Sequence, residues 1–342
     1  MRGHAMQESK AIQVNKWDQW LLDTLLATRK DGAASRARYR VLCAVRQARL
    51  WFSDPLVRYR LGEMTLLLPL SHELPLYRRD LPQYSMNLGR VVAAVQAKYR
   101  NLTMIDVGAN VGDSVAVVRA HADAAILCVE GEDQFFELLR VNTGELEDLE
   151  LEHAFVGCEN DQVSAVHVAR GTASIELGTG SGAGQLTTQS LREVINRHPR
   201  FAKSKVLKID AEGFDCMIIS CEASFLSQNK PVLFFEYHPP LCAAAGYNPF
   251  PVFLQLSEIG YGVVMIYENT GRYLLSVALS QWNVLEDIHH YFTKMGGFCD
   301  LAAFHAEDLD LAEDLRKAEL GQRTNPPNNM RLKNAEKLAH AD

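Results

Sequence analysis

The chain has 342 residues, of which 47% are hydrophobic and 23% are charged, a composition that is typical of a globular protein and excludes an intrinsically disordered chain. No apolar run reaches the roughly 18 residues of a membrane-spanning helix, and the N-terminus lacks the charged-then-apolar layout of a secretory signal. The seven cysteines include no Cys-x-x-Cys pair, which favours free thiols in a reducing compartment. We therefore expect a cytoplasmic protein.

Charge is unevenly distributed along the chain. The net charge is −7, but residues 1–60 contain twelve Lys and Arg against five Asp and Glu, which is +7, so the remaining residues carry −14. Residues 29–49, the basic arm, hold seven of these basic residues and a single Asp. The basic arm could be a solvated helix face or a contact for an anionic membrane surface. A nucleic-acid partner is not expected.

The predicted elements begin with helices. Apolar residues recur at spacings of three and four over residues 16–53 and are interrupted near Gly32, which predicts two amphipathic helices. Residues 59–70 read "YRLGEMTLLLPL" and predict a short hairpin. A helix over residues 86–99 then leads into the first core strand. We therefore assign residues 1–85 to an N-terminal helical extension with a short hairpin.

Strand and helix patterns alternate from residue 103 onward. The predicted strands are Thr103–Val107, Ala125–Glu130, Leu151–Val156, Val206–Asp210, Val232–Tyr237, Gly262–Tyr267 and Tyr273–Val277, with an added strand at Val163–Ala169. Strands that alternate with crossover helices predict an α/β protein with a mostly parallel seven-stranded sheet that is covered on both faces. A hairpin joins the last two strands, so the last strand should run antiparallel.

The sequence "MIDVGANVGDSV" at residues 104–115 combines a strand, a glycine turn and a helix start, which is how a Rossmann-type domain opens its nucleotide site. The spacing between Gly108 and Gly112 lacks the middle glycine of a dinucleotide fingerprint, and Asn110 stands in its place. Glu130 ends the second strand about twenty residues later, where a carboxylate accepts hydrogen bonds from ribose hydroxyls.

Carboxylates surround the glycine turn. A pyrophosphate requires bare backbone N–H groups without a competing anion, whereas S-adenosylmethionine brings a sulfonium and an ammonium. The acidic turn therefore favours S-adenosylmethionine over NAD, although Asp113 could also be an ordinary partner of the helix dipole. The candidate cofactor-binding residues are Asp106, Gly108, Ala109, Asn110, Gly112, Asp113, Ser114, Glu130 and Asp210.

Polar residues also follow the strands that end near residues 210 and 237. Because ligands bind beyond the carboxyl ends of parallel strands, we expect Asp210, Glu212, Glu236, Tyr237 and His238 to gather there. An attacking hydroxyl needs a base, and His238 is the candidate because its pKa can lie near the working pH; the alternative is a loop histidine packed beside a proline. Asp210 and Glu212 could instead be the base, bind the acceptor or hold a divalent cation. Two carboxylates are too few ligands to predict a metal site.

Four segments of the sequence resemble the FkbM-type methyltransferases. They are "IDVGANVGDSV", "VEGEDQFFELLRVN", "VLKIDAEGFDCMI" and "FFEYHP", and the resemblance covers about residues 90 to 280. Asp210-Ala211-Glu212-Gly213 is its most family-specific part, while Gly131 departs from the proline that usually follows the ribose-binding acid. The resemblance implies the class I methyltransferase Rossmann-like fold, S-adenosylmethionine as cofactor, and methylation of hydroxyl oxygens, often on sugars of glycans, glycolipids or secondary metabolites.

The leading hypothesis is an S-adenosylmethionine-dependent O-methyltransferase acting on a small-molecule or glycan hydroxyl. We place its cofactor-binding domain at residues 86–295, an acidic helix at 296–320 and a disordered tail at 321–342. One alternative is an NAD-dependent sugar oxidoreductase or epimerase, which the missing glycine and the lack of a Tyr-x-x-x-Lys pair disfavour. The other is a non-catalytic, cofactor-binding scaffold in glycan assembly.

Overall fold

The computed structural model describes residues 13–158, 162–169, 171–177 and 186–322, and the predicted tail beyond residue 322 lies outside these ranges. The helices are α1 Lys16–Ala27, α2 Ala33–Leu50, α3 Leu74–Asp80, α4 Met86–Lys98, α5 Asp113–Arg119, α6 Asp133–Thr143, α7 Leu191–Arg197, α8 Asp215–Cys221, α9 Ala223–Asn229, α10 Pro239–Ala244, α11 Val252–Glu258, α12 Trp282–Met295 and α13 Leu309–Gln322. The strands are β1 Leu56–Leu61, β2 Met64–Pro69, β3 Thr103–Val107, β4 Ala125–Glu130, β5 Leu149–His153, β6 Gln162–Ala169, β7 Thr172–Leu177, β8 Leu186–Thr187, β9 Val206–Ile209, β10 Val232–Tyr237, β11 Tyr261–Glu268, β12 Tyr273–Ala278 and β13 Cys299–His305.

The N-terminal extension contains the two predicted helices and the predicted hairpin. Helix α1 begins where the Asn15 side chain accepts a hydrogen bond from the Trp17 N–H, a common N-cap arrangement. Helix α2 is held against α1 by Arg49, whose Nε lies 2.8 Å from the buried Asp18 carboxylate. Strands β1 and β2 pair antiparallel around Gly62, which has a φ of +60°. Both predictions from apolar spacing and turn chemistry are therefore confirmed.

The central sheet has eight strands in the order β12-β11-β13-β10-β9-β3-β4-β5. Strands β10, β9, β3, β4 and β5 run parallel, and β13 is antiparallel to both of its neighbours, β10 and β11. This order is that of the class I methyltransferase Rossmann-like fold, which confirms the predicted fold class. Strand β12 runs antiparallel at the edge, as predicted. Strand β13, which was not predicted, raises the strand number from seven to eight.

Strand β13 is the strand of the central sheet that the sequence did not predict. Residues 296–320 were expected to form an acidic helix, but Cys299–His305 is a buried strand in the middle of the sheet and only the later residues are helical. A short apolar run cannot be assigned to strand or helix from periodicity alone. The pairing with β10 and β11 decides its conformation, and that pairing exists only in the folded chain.

Both faces of the sheet are covered. In β3, Met104 packs into one hydrophobic cluster while Ile105 and Val107 pack into the other, because successive side chains point to opposite faces. The first cluster includes α4, α5, α6, α13 and the extension, and the second includes α7, α8, α9, α11 and α12. The predicted added strand corresponds to β6, which belongs to a separate three-stranded sheet with β7 and β8.

Two cysteines differ from the expectation of free thiols. Cys158 and Cys221 form a disulfide with Cα atoms 5.7 Å apart, across a sequence separation of 63 residues, so the expectation is wrong for this pair. The remaining five cysteines are free. In the parts of the chain that the structure describes, the helices are too short or too polar to cross a bilayer.

Candidate functional site

A cavity lies beyond the carboxyl ends of β3, β4, β9 and β10, the position at which open α/β sheets bind their ligands. Seven of the predicted site residues line it together: Gly108, Asn110, Asp113, Ser114, Glu130, Asp210 and Glu212. The structure places four others, Asp106, Ala109, Gly112 and His238, outside its lining. Since the seven come from three different strand ends, the tertiary fold brings together what the sequence separates by about a hundred residues.

The glycine turn is built around a close approach between two strand ends. Gly108 has a φ of +75°, and a Cβ at this position would collide with the backbone carbonyl of Asp210. The N–H groups of Gly108 and Ala109 both donate to the Val129 carbonyl, at 2.9 and 3.1 Å. These contacts hold the ends of β3, β4 and β9 around one space, and they require glycine because a side chain would separate β3 from β9.

Glu130 is held rigidly at the end of β4. One carboxylate oxygen accepts from the Asn110 N–H and the other from the Glu132 N–H, both at 2.8 Å. Its side chain is 7% exposed; burial raises its pKa, whereas the backbone donors act in the opposite direction. Each carboxylate oxygen can accept a second hydrogen bond. Glu130 can therefore still bind two ligand hydroxyls from the cavity wall.

Asp106 is predicted to bind the cofactor, but it lies outside the cavity lining. It is fully buried, its Oδ1 lies 2.9 Å from the Nζ of Lys208, and its Oδ2 accepts from the Ser114 hydroxyl. Lys208 also donates to the Gly108 carbonyl at 2.8 Å and lies 3.5 Å from Asp210 Oδ2. Asp106 is thus an ion-pair partner beneath the site, since a buried ammonium must be compensated by charge and hydrogen bonds.

Lys208 is the main functional residue that sequence reasoning missed. Burial by itself would lower its pKa, but Asp106 and Asp210 raise it above the usual lysine value, so the side chain stays charged. It donates to the Gly108 carbonyl and lies beside the carboxylates of Asp106 and Asp210, so the charge of the ammonium is offset without a ligand. The sequence does contain an indication of this ion pair. A lysine inside the apolar strand "VLKI" needs a charged or polar partner if the strand is buried on both faces.

The end of the cavity beyond β9, β10 and β13 is acidic. Glu212 has a φ of +47°, a conformation that is rare for residues other than glycine and is common at functional sites. Burial, followed by the charge of Asp210, raises the pKa of Glu212 to about 7. Glu236 and Asp300 lie opposite each other in the β10–β13 pairing and both line the cavity. Burial raises the pKa of Glu236 well above its usual value and that of Asp300 to about 7.

The N-terminal extension closes the cavity. His72, Tyr84 and Ser85 line it, and the His72 ring lies 3.5 Å from the Asn110 side-chain oxygen. Burial lowers the pKa of His72, which favours the neutral ring. No sequence pattern pointed to these residues, because they lie outside the repeating strand–helix units and reach the site only through the packing of the extension.

His238 does not line the cavity. It begins α10, where its Nδ1 accepts from the Leu241 N–H at 3.3 Å, and its ring stacks on Phe298 at a centroid distance of 5.2 Å. With Nδ1 as the acceptor, a neutral ring carries its proton on Nε2 and cannot accept another there. Tyr237 also lies outside the lining; it is buried, with its hydroxyl 2.7 Å from His289 Nδ1. The role of His238 as a base stays a prediction, and Glu212 is better placed for it.

A metal centre is not apparent in the described ranges. No group of three His, Cys, Asp or Glu side chains among those residues is arranged to hold a metal ion. Asp210 and Glu212 both line the cavity, but hard cations require several oxygen ligands at once.

No protein-family model matches the sequence, and no curated protein matches it. Solved structures do match, and among them are several methyltransferases. An FkbM methyltransferase from Methylobacillus flagellatus KT is 14% identical with a TM-score of 0.32, over 48% of this chain and 39% of that protein.

Two further structures cover more of the chain. A precorrin-6y C5,15-methyltransferase from Geobacter metallireducens GS-15 is 13% identical with a TM-score of 0.33, over 64% of this chain and 87% of the other. An S-adenosylmethionine-dependent methyltransferase from Agrobacterium tumefaciens is 8% identical with a TM-score of 0.38, over 73% and 70%. Each of these superpositions covers part of the chain.

Proposed function

We propose that the protein is an S-adenosylmethionine-dependent methyltransferase that methylates a hydroxyl group, on a sugar of a glycan, glycolipid or secondary metabolite. The observation that supports this most is Glu130, a buried carboxylate fixed by two backbone N–H groups at the end of the second core strand and open to the cavity. That is where Rossmann-type domains bind a nucleoside ribose.

The cavity suits a cationic nucleoside better than a dinucleotide. Asp113 and Asp210 line it beside the glycine turn, and Lys208 is already compensated by residues of the chain. Negative charge at this turn would repel a pyrophosphate and attract a sulfonium and an ammonium. Glu130 would hold the ribose, and Asp113 and Asp210 would face the charged end. When bound, S-adenosylmethionine supplies a methyl group on a positively charged sulfur.

Glu212 is the residue best suited to take the proton of the acceptor hydroxyl. It lines the cavity two residues after Asp210, and its pKa of about 7 leaves a substantial unprotonated fraction at neutral pH. A positioned base contributes about 10² to 10⁴ to the rate. Asp210 and Glu212 would also orient the acceptor, and correct orientation is itself a large part of catalysis. His72 and Tyr84 of the extension would help to exclude water.

Calorimetry with S-adenosylmethionine, S-adenosylhomocysteine and NAD tests the cofactor. We expect the first two to bind and NAD not to bind; preferential binding of NAD would instead favour the oxidoreductase. Transfer is then measured as tritium from methyl-labelled S-adenosylmethionine into glycans and small molecules of the host. Binding without any transfer would favour the scaffold. The assay is run with and without EDTA, because loss of activity that Mg²⁺ or Mn²⁺ restores would assign Asp210 and Glu212 to a metal.

A further inference from the structure

The end of the cavity beyond β10 and β13 contains a pair of carboxyl groups on these neighbouring strands. Glu236 of β10 and Asp300 of β13 are direct partners in the antiparallel register, and directly opposed residues have Cβ atoms about 4.5–5.5 Å apart on the same face. Two like charges at this distance repel each other, so the pair either keeps a proton or is offset by a bound cation. Besides burial, the carboxylates of Asp210, Asp215 and Glu212 raise the pKa of Glu236 further.

An independent feature points to a ligand at the same place. Asn87 of α4 is 0% exposed and lines the cavity, and its Nδ2 donates to Asp300 Oδ2 at 2.7 Å. An ionised Asp300 can only accept, so with that form the amide nitrogen of Asn87 must face it. The other amide atom, Asn87 Oδ1, is buried and receives no hydrogen bond from any residue in the described ranges. A buried acceptor without a donor destabilises the fold, so a ligand that donates here would recover that loss.

These groups form a pocket rich in hydrogen-bond acceptors, and a bound cation would favour the ionised form of both carboxyl groups, whose pKa values burial raises. Glu236, Asp300 and Asn87 Oδ1 can all accept hydrogen bonds. The nearest cation that lines the cavity, Lys208, is already directed at Asp106, Asp210 and the Gly108 carbonyl. A hydroxyl offers one donor and no charge, whereas a primary ammonium offers three donors and a positive charge. The chemistry of the pocket therefore matches an ammonium group.

The pocket is distant from the ribose-binding end. Asp300 lies on β13 and Glu130 on β4, four strand positions apart in the sheet order, which corresponds to about 19 Å at the usual strand spacing of about 4.8 Å. Glu212 and Asp210 line the space between them. An acceptor seated there would have its hydroxyl near Glu212 and a second group at Asp300.

We propose that the acceptor carries a primary amine beside its hydroxyl, as an amino sugar or amino alcohol does, and that Glu236, Asp300 and Asn87 bind the ammonium. This inference rests on the proposed function, since it concerns the acceptor of the methyl transfer. It explains why two carboxylates face each other in the sheet and why the Asn87 oxygen is left without a donor. These three residues would select the acceptor without contacting the cofactor.

The test compares three sugars of similar size on the full chain. Glucosamine, N-acetylglucosamine and glucose are titrated by ligand-observed NMR, with S-adenosylhomocysteine saturating and again without it. We expect glucosamine to bind at least about tenfold more tightly than the two neutral sugars, the usual gain from a charge-assisted hydrogen bond. Asp300→Asn and Glu236→Gln should each abolish this preference, whereas Asp314→Asn, on an exposed carboxylate of α13, should leave it unchanged.

The outcomes separate this inference from the proposed function. Equal binding of the amine and the neutral sugars, in the presence and absence of S-adenosylhomocysteine, overturns the amine site. A preference for glucosamine that persists in Asp300→Asn and Glu236→Gln also overturns it. A lower affinity of these variants for S-adenosylhomocysteine does the same, because the pocket would then bind the ammonium of the cofactor itself. Failure of wild type to bind S-adenosylhomocysteine overturns the proposed function instead. S-adenosylhomocysteine binding by the two variants also shows that they fold.

Discussion

The Glu130→Gln substitution tests the most informative contact of the site. It preserves the shape of the side chain but replaces one carboxylate oxygen by an NH₂ group. In the wild type the two oxygens accept from the N–H groups of Asn110 and Glu132, each at 2.8 Å. The glutamine can accept only one of these bonds, and its NH₂ would face the other N–H donor. The substitution therefore affects both folding and ligand binding.

The two effects can be estimated separately. Leaving one buried N–H without an acceptor lowers the free energy of unfolding by about 1–3 kcal/mol. Replacing the carboxylate removes charge-assisted hydrogen bonds to the ribose, worth about 1.5–3 kcal/mol in binding, which corresponds to an affinity about 10- to 150-fold lower. The first effect appears in a thermal melt without ligand, and the second in calorimetric titration with S-adenosylhomocysteine below the melting temperature.

Glu132 provides a matched control in the same turn. Its side chain accepts from the Phe135 N–H at 2.7 Å at the start of α6, and it does not line the cavity. Glu132→Ala should therefore cost about 0.5–2 kcal/mol of stability through loss of the helix cap and leave the affinity unchanged. A folded Glu130→Gln protein that binds S-adenosylhomocysteine as tightly as wild type would refute the ribose assignment. Equal affinity losses in both variants would mean that the effect is structural.

Three further predictions concern other parts of the molecule. Glu212→Gln should reduce turnover by about 10² to 10⁴ and remove the rise in activity through pH 7 that deprotonation of its pKa of about 7 produces; a larger loss in His238→Ala, in pH–rate profiles of both variants, would assign the base to His238. Lys208→Met should lower the unfolding free energy by about 3–5 kcal/mol in denaturant titrations, because Asp106 would be left buried without its cation, and an unchanged midpoint would contradict the ion pair. If the basic arm contacts membranes, its binding to anionic liposomes should weaken as salt is added, because the Debye length falls to about 3 Å at 1 M. Binding that does not depend on salt, or the absence of binding, would mean that residues 29–49 form a solvated helix face.

Two features of the extension bear on the last of these predictions. Two arginines of the basic arm already have partners within the extension: Arg46 donates to two backbone carbonyls, and Arg49 forms an ion pair with Asp18. The residues that follow α2, Trp51 and Phe52, are 78% and 86% exposed. A membrane contact would therefore combine the exposed arginines of α2 with two aromatic side chains, an arrangement that is common in interfacial helices.

The sequence by itself determined the features that depend on neighbouring residues. The glycine turn at 108–112, the acid at the end of β4 and the paired acids at Asp210 and Glu212 are local patterns, and all three place residues at the cavity. The alternation of strands and helices likewise predicted the parallel half of the sheet. Local patterns are readable because backbone conformation and side-chain alternation act over a few residues.

The tertiary structure alone decided the features that join distant parts of the chain. Strand β13 owes its conformation to pairing with β10 and β11, and Asn87 meets Asp300 across 213 residues of sequence. The ion pair of Lys208 with Asp106 also depends on two parallel strands lying side by side. Residue spacing carries no record of such contacts, because they arise only when burial removes water and forces each polar group to find a partner within the fold.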